Sequence, residues 1–166
     1  MTGQMSKEEI TCAIEDVKIL KSRYFQYSDM NRRDIFFNLF TDDATVLFHD
    51  VIDDFMPARE FFVTLGQVTQ KTRRVHKGFM PDIQILSPDR ATGVWSMEDR
   101  LYWTDTDTPD GITQMVGQGH YSETYARVDG EWKIRTLELT RLRLELQISP
   151  PHLKNLKTFQ VFGRTA

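Results

Sequence analysis

The sequence predicts an α+β domain in which N-terminal helices precede a long, strongly curved antiparallel sheet. Apolar residues at helical spacing occupy the part of the chain before residue 70, and four long runs with strand alternation follow it. The runs follow one another without intervening helices, which is the order of an α+β domain and not of a βαβ one. Strands of this length must twist and curl, so we expect the sheet to wrap the helices around one apolar pocket.

The first helix is predicted to begin at Ser6, because Ser6 and Glu9 have the spacing of a capping box. The polar residues 28–31 are expected to end it. A short helix over 34–40 and a first strand over 44–49 follow. The apolar stripe of the first helix consists of Ile10, Ala13, Ile14, Val17, Leu20, Tyr24 and Tyr27.

Pro57 is expected to open a third helix, where its missing N–H has no cost. Four strands are then predicted over 75–86, 90–105, 112–128 and 131–145. Pro81 predicts an edge, a bend or a bulge in the first of them, and Asp129-Gly130 predicts a hairpin between the last two. We therefore expect one domain over 1–148 and a tail over 149–166 that packs on the pocket mouth or on a partner subunit.

Composition excludes several classes of function. Lys+Arg number 21 and Asp+Glu 24, for a net charge of −3, and no long block of like charge marks a partner such as nucleic acid or a membrane surface. The single Cys12 has no metal-ligand spacing around it, and no nucleotide-binding motif is present, so we expect neither metal nor cofactor. No apolar run could span a bilayer, and the N-terminal residues lack the apolar core of a signal peptide. We expect a cytoplasmic protein.

Asp99 breaks the pattern of its strand. It lies in the middle of an otherwise apolar face, where an unpaired carboxylate is costly. Two interpretations stay open: Asp99 faces a pocket, or it binds Arg141, Arg143 or backbone N–H groups. The face in question consists of Ala91, Gly93, Trp95, Met97, Asp99, Leu101 and Trp103.

Tyr24, Asp29 and His76 each allow a structural and a functional interpretation. Tyr24 lies on the buried stripe of the first helix, and its hydroxyl must find a partner. Asp29 would point away from Tyr24 on a regular helix, and could turn toward it only if the helix ends near Ser28. His76, among apolar strand residues, has the context of a structural histidine. None of the three identifies a site by itself.

Three segments resemble the SnoaL-like branch of the nuclear transport factor 2-like (cystatin-like fold) superfamily, over roughly residues 8–145. Within that branch the chain resembles the bile acid 7α-dehydratases and scytalone dehydratases, with the ketosteroid isomerases as more distant relatives. The resemblance implies a cone-shaped sheet around the helices. The segments are Tyr24-Phe25-x-x-x-Asp29, Val75-His76-x-Gly78-x-x-Pro81-x-Ile83 and Ala91-Thr92-Gly93-x-Trp95-x-x-Glu98-Asp99-Arg100.

The resemblance also implies site residues. His76 would act as base, with Asp99 orienting it or holding charge. Tyr24 would donate to a developing enolate or leaving hydroxyl, with Asp29 as its tuning or acid partner. Phe79 stands where the family often has a second histidine, which makes the pocket more apolar. The implied catalytic residues are Tyr24, Asp29, His76 and Asp99, and the expected pocket-lining residues are Phe25, Phe79, Trp95 and Met97.

The resulting hypothesis is a cofactor-independent acid–base enzyme, a dehydratase-type lyase or an isomerase, acting on a small hydrophobic, cyclic molecule. The alternative is a non-catalytic subunit that binds a hydrophobic ligand or is structural, as is the small subunit of a ring-hydroxylating dioxygenase. A homodimer or higher homo-oligomer is expected, with the outward Val94 and Tyr102 at the interface.

Overall fold

The computed structural model describes residues 5–103 and 111–148, so the tail over 149–166 lies outside the described residues. Helices come first and a long meander follows, as predicted. The elements are α1 (Lys7–Asp29), α2 (Arg33–Phe36), a 3₁₀ turn (Phe37–Leu39), β1 (Phe40–Phe48), β2 (Met56–Pro57), α3 (Ala58–Val68), β3 (Thr72–Ser87), β4 (Arg90–Trp103), β5 (Ile112–Val128) and β6 (Glu131–Ile148).

The predicted limits of α1 are confirmed. The Ser6 hydroxyl accepts from the backbone N–H of Glu9 at 3.1 Å, and the Glu9 carboxylate accepts from the backbone N–H of Ser6 at 2.7 Å. The helix ends at Asp29, and Asn31 adopts the left-handed conformation with φ 53°. Such a residue stops a helix and turns the chain, which brings α2 back beside the end of α1.

The sheet has six strands in the order β2-β1-β6-β5-β4-β3 and is curved but not closed. All neighbouring strands are antiparallel except β1 and β6, which run parallel. The predicted meander is antiparallel throughout, and β1 joins it by this parallel pairing with β6. The parallel pairing arises because the chain passes through α3 before it enters the meander, so that the last strand returns beside the first. The predicted first strand also begins earlier, at Phe40, since the short helix ends at Phe36.

The predicted hairpin turn and the predicted irregularity at Pro81 are both confirmed. Asp129 and Gly130 have φ of 52° and 85°, as the central residues of a type I′ hairpin require. In β3 the register with β4 shifts between Phe79 and Asp82, and Met80 has φ 43°. This bulge lies beside Pro81, in a strand that forms one edge of the sheet.

The core lies between α1 and the concave face of the sheet. Alternation along β4 is as predicted, with Trp95, Met97 and Asp99 buried on that face. Tyr24 of α1 sits in a cluster of aromatic rings whose centroids are 4.6 to 6.2 Å apart. These contacts pack the three helices against β1. The clustered rings are Tyr24, Phe36, Phe40, Phe48, Phe61 and Phe62. Among the described residues, no helix is both long and apolar enough to cross a membrane.

Candidate functional site

A cavity of about 220 Å³ lies between the helices and the concave face of the sheet. A cavity of about 150 Å³ accommodates benzene, so this one has room for a molecule of one or two rings. Its wall is mainly aromatic, with polar groups on the sheet side and near the end of α1. The aromatic lining residues are Tyr24, Tyr27, Phe36, Phe37, Phe48, Phe62 and Trp103, and the charged or imidazole-bearing ones are Arg33, Asp50, Arg74, His76, Asp99 and Arg141.

Asp29 and His76 form a hydrogen-bonded pair at this cavity. An Asp29 carboxylate oxygen lies 2.6 Å from His76 Nδ1, and the two oxygens accept from the backbone N–H of His76 at 3.2 and 3.1 Å. The His76 side chain is 11% exposed and lines the cavity. A carboxylate on Nδ1 favours the tautomer with its proton there. The other ring nitrogen, Nε2, is therefore the basic one.

The end of α1 makes this pair possible. Because the helix stops at Asp29, that side chain is free to leave the helix surface and reach β3. We expected a turn toward Tyr24, but the carboxylate binds His76. His76 in turn lies directly opposite Asp99 in the β3–β4 register, without the predicted orienting bond from Asp99. The local reason is that α1 ends beside β3, whereas Asp99 faces β6 across β5.

Asp99 binds Arg141, which is the structural alternative considered from the sequence. Arg141 donates to Asp99 Oδ2 at 2.5 Å and to Asp50 at 2.5 Å, and Asp99 is only 2% exposed. Gly117, on the strand between them, leaves the necessary space: a Cβ there would collide with Asp99 Oδ1 and Arg141 Nε. Among the described residues Asp99 Oδ1 has no partner. One acceptor atom of this pair is thus unused beside the cavity.

Tyr24 lies at the same cavity with its ring in the aromatic cluster. Burial, and then the negative charge of Glu123, raise the pKa of Tyr24 well above its ordinary value. The phenol therefore stays protonated at neutral pH. It can donate a hydrogen bond, but it cannot serve as a base.

Behind Tyr24 lies a second polar group that the sequence analysis missed. Lys21 and Glu123 form an ion pair whose side chains are fully buried. Lys21 Nζ lies 3.6 Å from the centroid of the Tyr121 ring, and the Tyr125 hydroxyl donates to Glu123. Burial lowers the pKa of Lys21 to about 8, against the opposing effect of Glu123. The signal was available, since Glu123 alternates with Tyr121 and Tyr125 on the concave face just as Asp99 does in its own strand.

The four expected pocket-lining residues lie outside this cavity wall. Trp95 and Met97 are buried in the core, where Trp95 donates to the Tyr125 hydroxyl at 2.9 Å. Phe79 points outward and is 47% exposed, because even-numbered residues of β3 before the bulge face inward. Phe25 stacks on His76 with centroids 6.2 Å apart, so it supports the His76 ring.

Comparisons with known proteins agree with this architecture. A family profile described as the SnoaL-like domain matches residues 9–138. A probable cyclase of Gibberella zeae is 23% identical over an alignment 136 residues long, which covers 76% of this chain and 89% of that protein. The crystal structure of a putative scytalone dehydratase from Novosphingobium aromaticivorans superposes with a TM-score of 0.74 at 18% identity, covering 97% of this chain and 100% of the other.

A hexachlorocyclohexane dehydrochlorinase from Novosphingobium barchaimii superposes with a TM-score of 0.70 at 16% identity. The superposition covers 88% of this chain and 100% of the dehydrochlorinase. At such identities the structural likeness concerns the fold alone. The profile spans most of the chain, however, and it includes α1, the strand of His76 and the strand of Asp99. The chain therefore belongs to the SnoaL-like domain family, within the nuclear transport factor 2-like superfamily.

Proposed function

We propose that the protein is a cofactor-independent acid–base enzyme that removes a proton next to a carbonyl of a small hydrophobic, cyclic substrate. The observation that carries this proposal is the Asp29–His76 pair at the wall of an aromatic cavity. A histidine held through Nδ1 presents Nε2 as its free basic nitrogen, which can act as a general base. The aromatic walls favour a ring-shaped, apolar substrate over a polar one.

The proposed reaction begins when His76 Nε2 accepts a proton from the carbon next to the carbonyl. The electron pair of that C–H bond moves into the carbonyl group and gives an enolate. Tyr24, which keeps its proton at neutral pH, donates a hydrogen bond to the enolate oxygen. Asp29 stabilises the imidazolium formed on His76.

The second step decides the reaction class. In elimination, the imidazolium returns its proton to a departing β-hydroxyl, the enolate electrons form the C=C bond, and water leaves. In isomerisation, the same proton returns to a different carbon of the conjugated system. Asp99 lines the same cavity as His76, but its Oδ1 is buried against Gly117 and its Oδ2 accepts from Arg141. We therefore assign Asp99 no proton transfer in either step.

The similar proteins support the same broad chemistry. Two of them are named as a putative dehydratase and a dehydrochlorinase, which are names for eliminations of water and of hydrogen chloride. The other is named as a probable cyclase. None of these names identifies the substrate of the present chain.

The direct test is an assay in D₂O on two β-hydroxy ketones, 3-hydroxycyclohexanone and 3-hydroxyindan-1-one. The wild-type protein is expected to produce the enone, observed by its ultraviolet absorbance, and to accelerate deuterium incorporation at the α-carbon, observed by NMR. A His120→Gln variant is the matched control, because His120 lies on the opposite, outer face of the sheet. Binding of both compounds without exchange or enone formation would contradict the proposal and favour the non-catalytic, ligand-binding alternative.

We further propose that the protein is a homodimer or higher homo-oligomer through the outer face of the sheet. Val94 is 44% exposed there, on the strand that also carries Tyr102. Light scattering coupled to size exclusion is expected to give a mass of at least twice the 19.5 kDa of the chain. A Val94→Lys variant should shift the population toward smaller species. A wild-type mass of one chain at micromolar concentration would contradict the proposal.

A further inference from the structure

Two arginines at the mouth of the cavity have no acidic partner among the residues that the structure describes. Arg33 at the start of α2 and Arg74 on β3 both line the cavity. Their guanidinium groups share one acceptor, Asn31 Oδ1, at 3.1 Å from Arg33 Nε and 3.3 Å from Arg74 Nη2. Arg74 Nη1 donates to the hydroxyl of Thr69 at 3.3 Å. Every oxygen that these two cations bind within the described residues is thus uncharged.

The neighbouring carboxylates are already engaged. Asp34 binds Arg32, with 3.0 Å between Arg32 Nη2 and Asp34 Oδ2. The Asp29 carboxylate does act on the charge of Arg74, but its oxygens bind the ring and backbone of His76. Neither Arg33 nor Arg74 therefore forms an ion pair with any carboxylate of the described residues.

The other arginine of the cavity shows the contrast. Arg141 is held between two carboxylates, Asp50 and Asp99, so its charge is compensated within the protein. Arg74 is half-buried, and its Nε is buried without a hydrogen-bond partner among the described residues. Burial and then the nearby Arg33 lower the pKa of Arg74. A half-buried cation beside a second cation is costly unless an anion joins them.

Arg33 and Arg74 lie in the same cavity as the proposed base, His76. Arg74 and His76 are two residues apart on the inward face of β3, which places their backbones about 7 Å apart along the strand. Gly66 of α3 provides the surface on which the Arg33 guanidinium rests, since a Cβ there would collide with it. The two guanidinium groups thus belong to the same cavity as His76, at its outer end.

We propose that the substrate carries a carboxylate, which Arg74 and Arg33 bind at the mouth of the cavity while its ring lies among the aromatic side chains. This inference rests on the proposed function for what happens at His76, but not for the binding itself. A guanidinium fork matches the two oxygens of a carboxylate. A carboxylate fits better than a phosphate, because the group must share a cavity of about 220 Å³ with the ring.

The test measures binding without turnover. The probe is 2-naphthoate, compared with its uncharged methyl ester, by calorimetry at pH 7.5. We expect wild-type protein to bind the acid more tightly than the ester, and Arg74→Gln to weaken binding of the acid about ten- to a hundredfold. Arg33→Gln should weaken it by a smaller factor. Binding of the ester should be the same in wild type and in both variants.

Arg73→Gln is the matched control, because Arg73 is the neighbour of Arg74 in β3 but points outward and is exposed. Its affinity for 2-naphthoate should equal that of the wild type. An Arg74→Lys variant should keep part of the affinity, and a circular-dichroism melt of each variant confirms folding. Equal affinity of wild type and Arg74→Gln for the acid, equal affinity of wild type for acid and ester, or no binding of the acid would overturn the proposal. Tighter binding of 2-naphthyl phosphate than of the acid would overturn the choice of carboxylate.

The outcome is separable from that of the proposed function. If Arg74-dependent binding of 2-naphthoate is observed but no compound exchanges its α-proton, the anion site stands and the enzymatic proposal fails. If β-hydroxy ketones are dehydrated but the acid binds independently of Arg74, the enzymatic proposal stands and the anion site fails.

Discussion

The His76→Gln variant is expected to lose activity by about 10²–10⁴-fold, the usual contribution of a general base. Glutamine keeps a polar side chain of similar length on β3, but it has no basic nitrogen. The loss should appear in kcat for deuterium exchange and for enone formation, since the base acts in the reacting complex. The melting temperature should stay near that of the wild type, because His76 is at the cavity surface and not in the core.

The Asp29→Asn variant tests the residue that positions the base while the base itself, His76, is kept. The amide can bind His76 in the wrong tautomer, and it no longer stabilises the imidazolium. We expect a loss of about tenfold or more in kcat for both deuterium exchange and enone formation. The His120→Gln control should retain wild-type rates. If His76→Gln turns over at the wild-type rate, His76 is not the base and the mechanism fails.

Replacing Lys21 with methionine is expected to destabilise the protein by about 3–5 kcal/mol, the usual cost of removing one partner of a buried ion pair. Within the described part of the chain, the substitution leaves the Glu123 carboxylate in the core with the Tyr125 hydroxyl as its one remaining partner. It also removes the cation beside the rings of Tyr24 and Tyr121. For a domain of this size the loss corresponds to a fall in Tm of about 6–20 °C.

Lys18→Met on the same helix is the matched control. Lys18 pairs with Glu15 at 2.7 Å on the exposed side of α1, with side chains 42% and 59% exposed. Such pairs contribute about 0–1 kcal/mol, so the control should unfold close to the wild type in urea. The double variant Lys21→Met/Glu123→Leu should recover part of the loss, because it leaves no unpaired charge. A single variant Lys21→Met as stable as Lys18→Met would contradict this account.

Features that depend on local sequence were predictable. The Ser6–Glu9 capping box, the Asp129–Gly130 turn and the inward position of Asp99 all follow from spacing over a few residues. Each has one dominant physical cause: a hydrogen-bonded helix start, positive φ, or alternation along a strand. The structure has these features where the sequence indicates them.

Pairings between distant elements were not predictable in the same way. Whether Asp29 turns to Tyr24 or to His76 depends on the direction in which α1 ends relative to β3. Whether Asp99 meets Arg141 depends on the β5–β6 register, which shifts between Gln118 and Gly119. Neither the direction of the α1 end nor the β5–β6 register can be read from one segment of the sequence alone. The resemblance to a family selected the residues of interest, but it did not indicate which of them bind one another.

The sequence also did not reveal that Lys21 of α1 is buried, or that Arg33 of the short helix α2 meets Arg74. Lys21 lies beside Leu20 on the buried side of α1, where a lysine normally extends to solvent. Its burial could be inferred only from an acidic partner on the facing strand, at Glu123. Arg33 and Arg74 belong to elements 41 positions apart in sequence, and Asn31 joins them only because the chain reverses after α1.

The parallel pairing of β1 with β6 has a consequence for the order of folding. During synthesis from the N-terminus, β1 emerges about ninety residues before the strand that pairs with its inner edge. Contacts of such long sequence separation carry a large loop-closure cost and slow the search for the native state. Arg141 lies on the late strand as well, so Asp99 has no counter-charge until that strand docks. The nascent chain is therefore vulnerable to chaperone capture and proteolysis until synthesis passes β6.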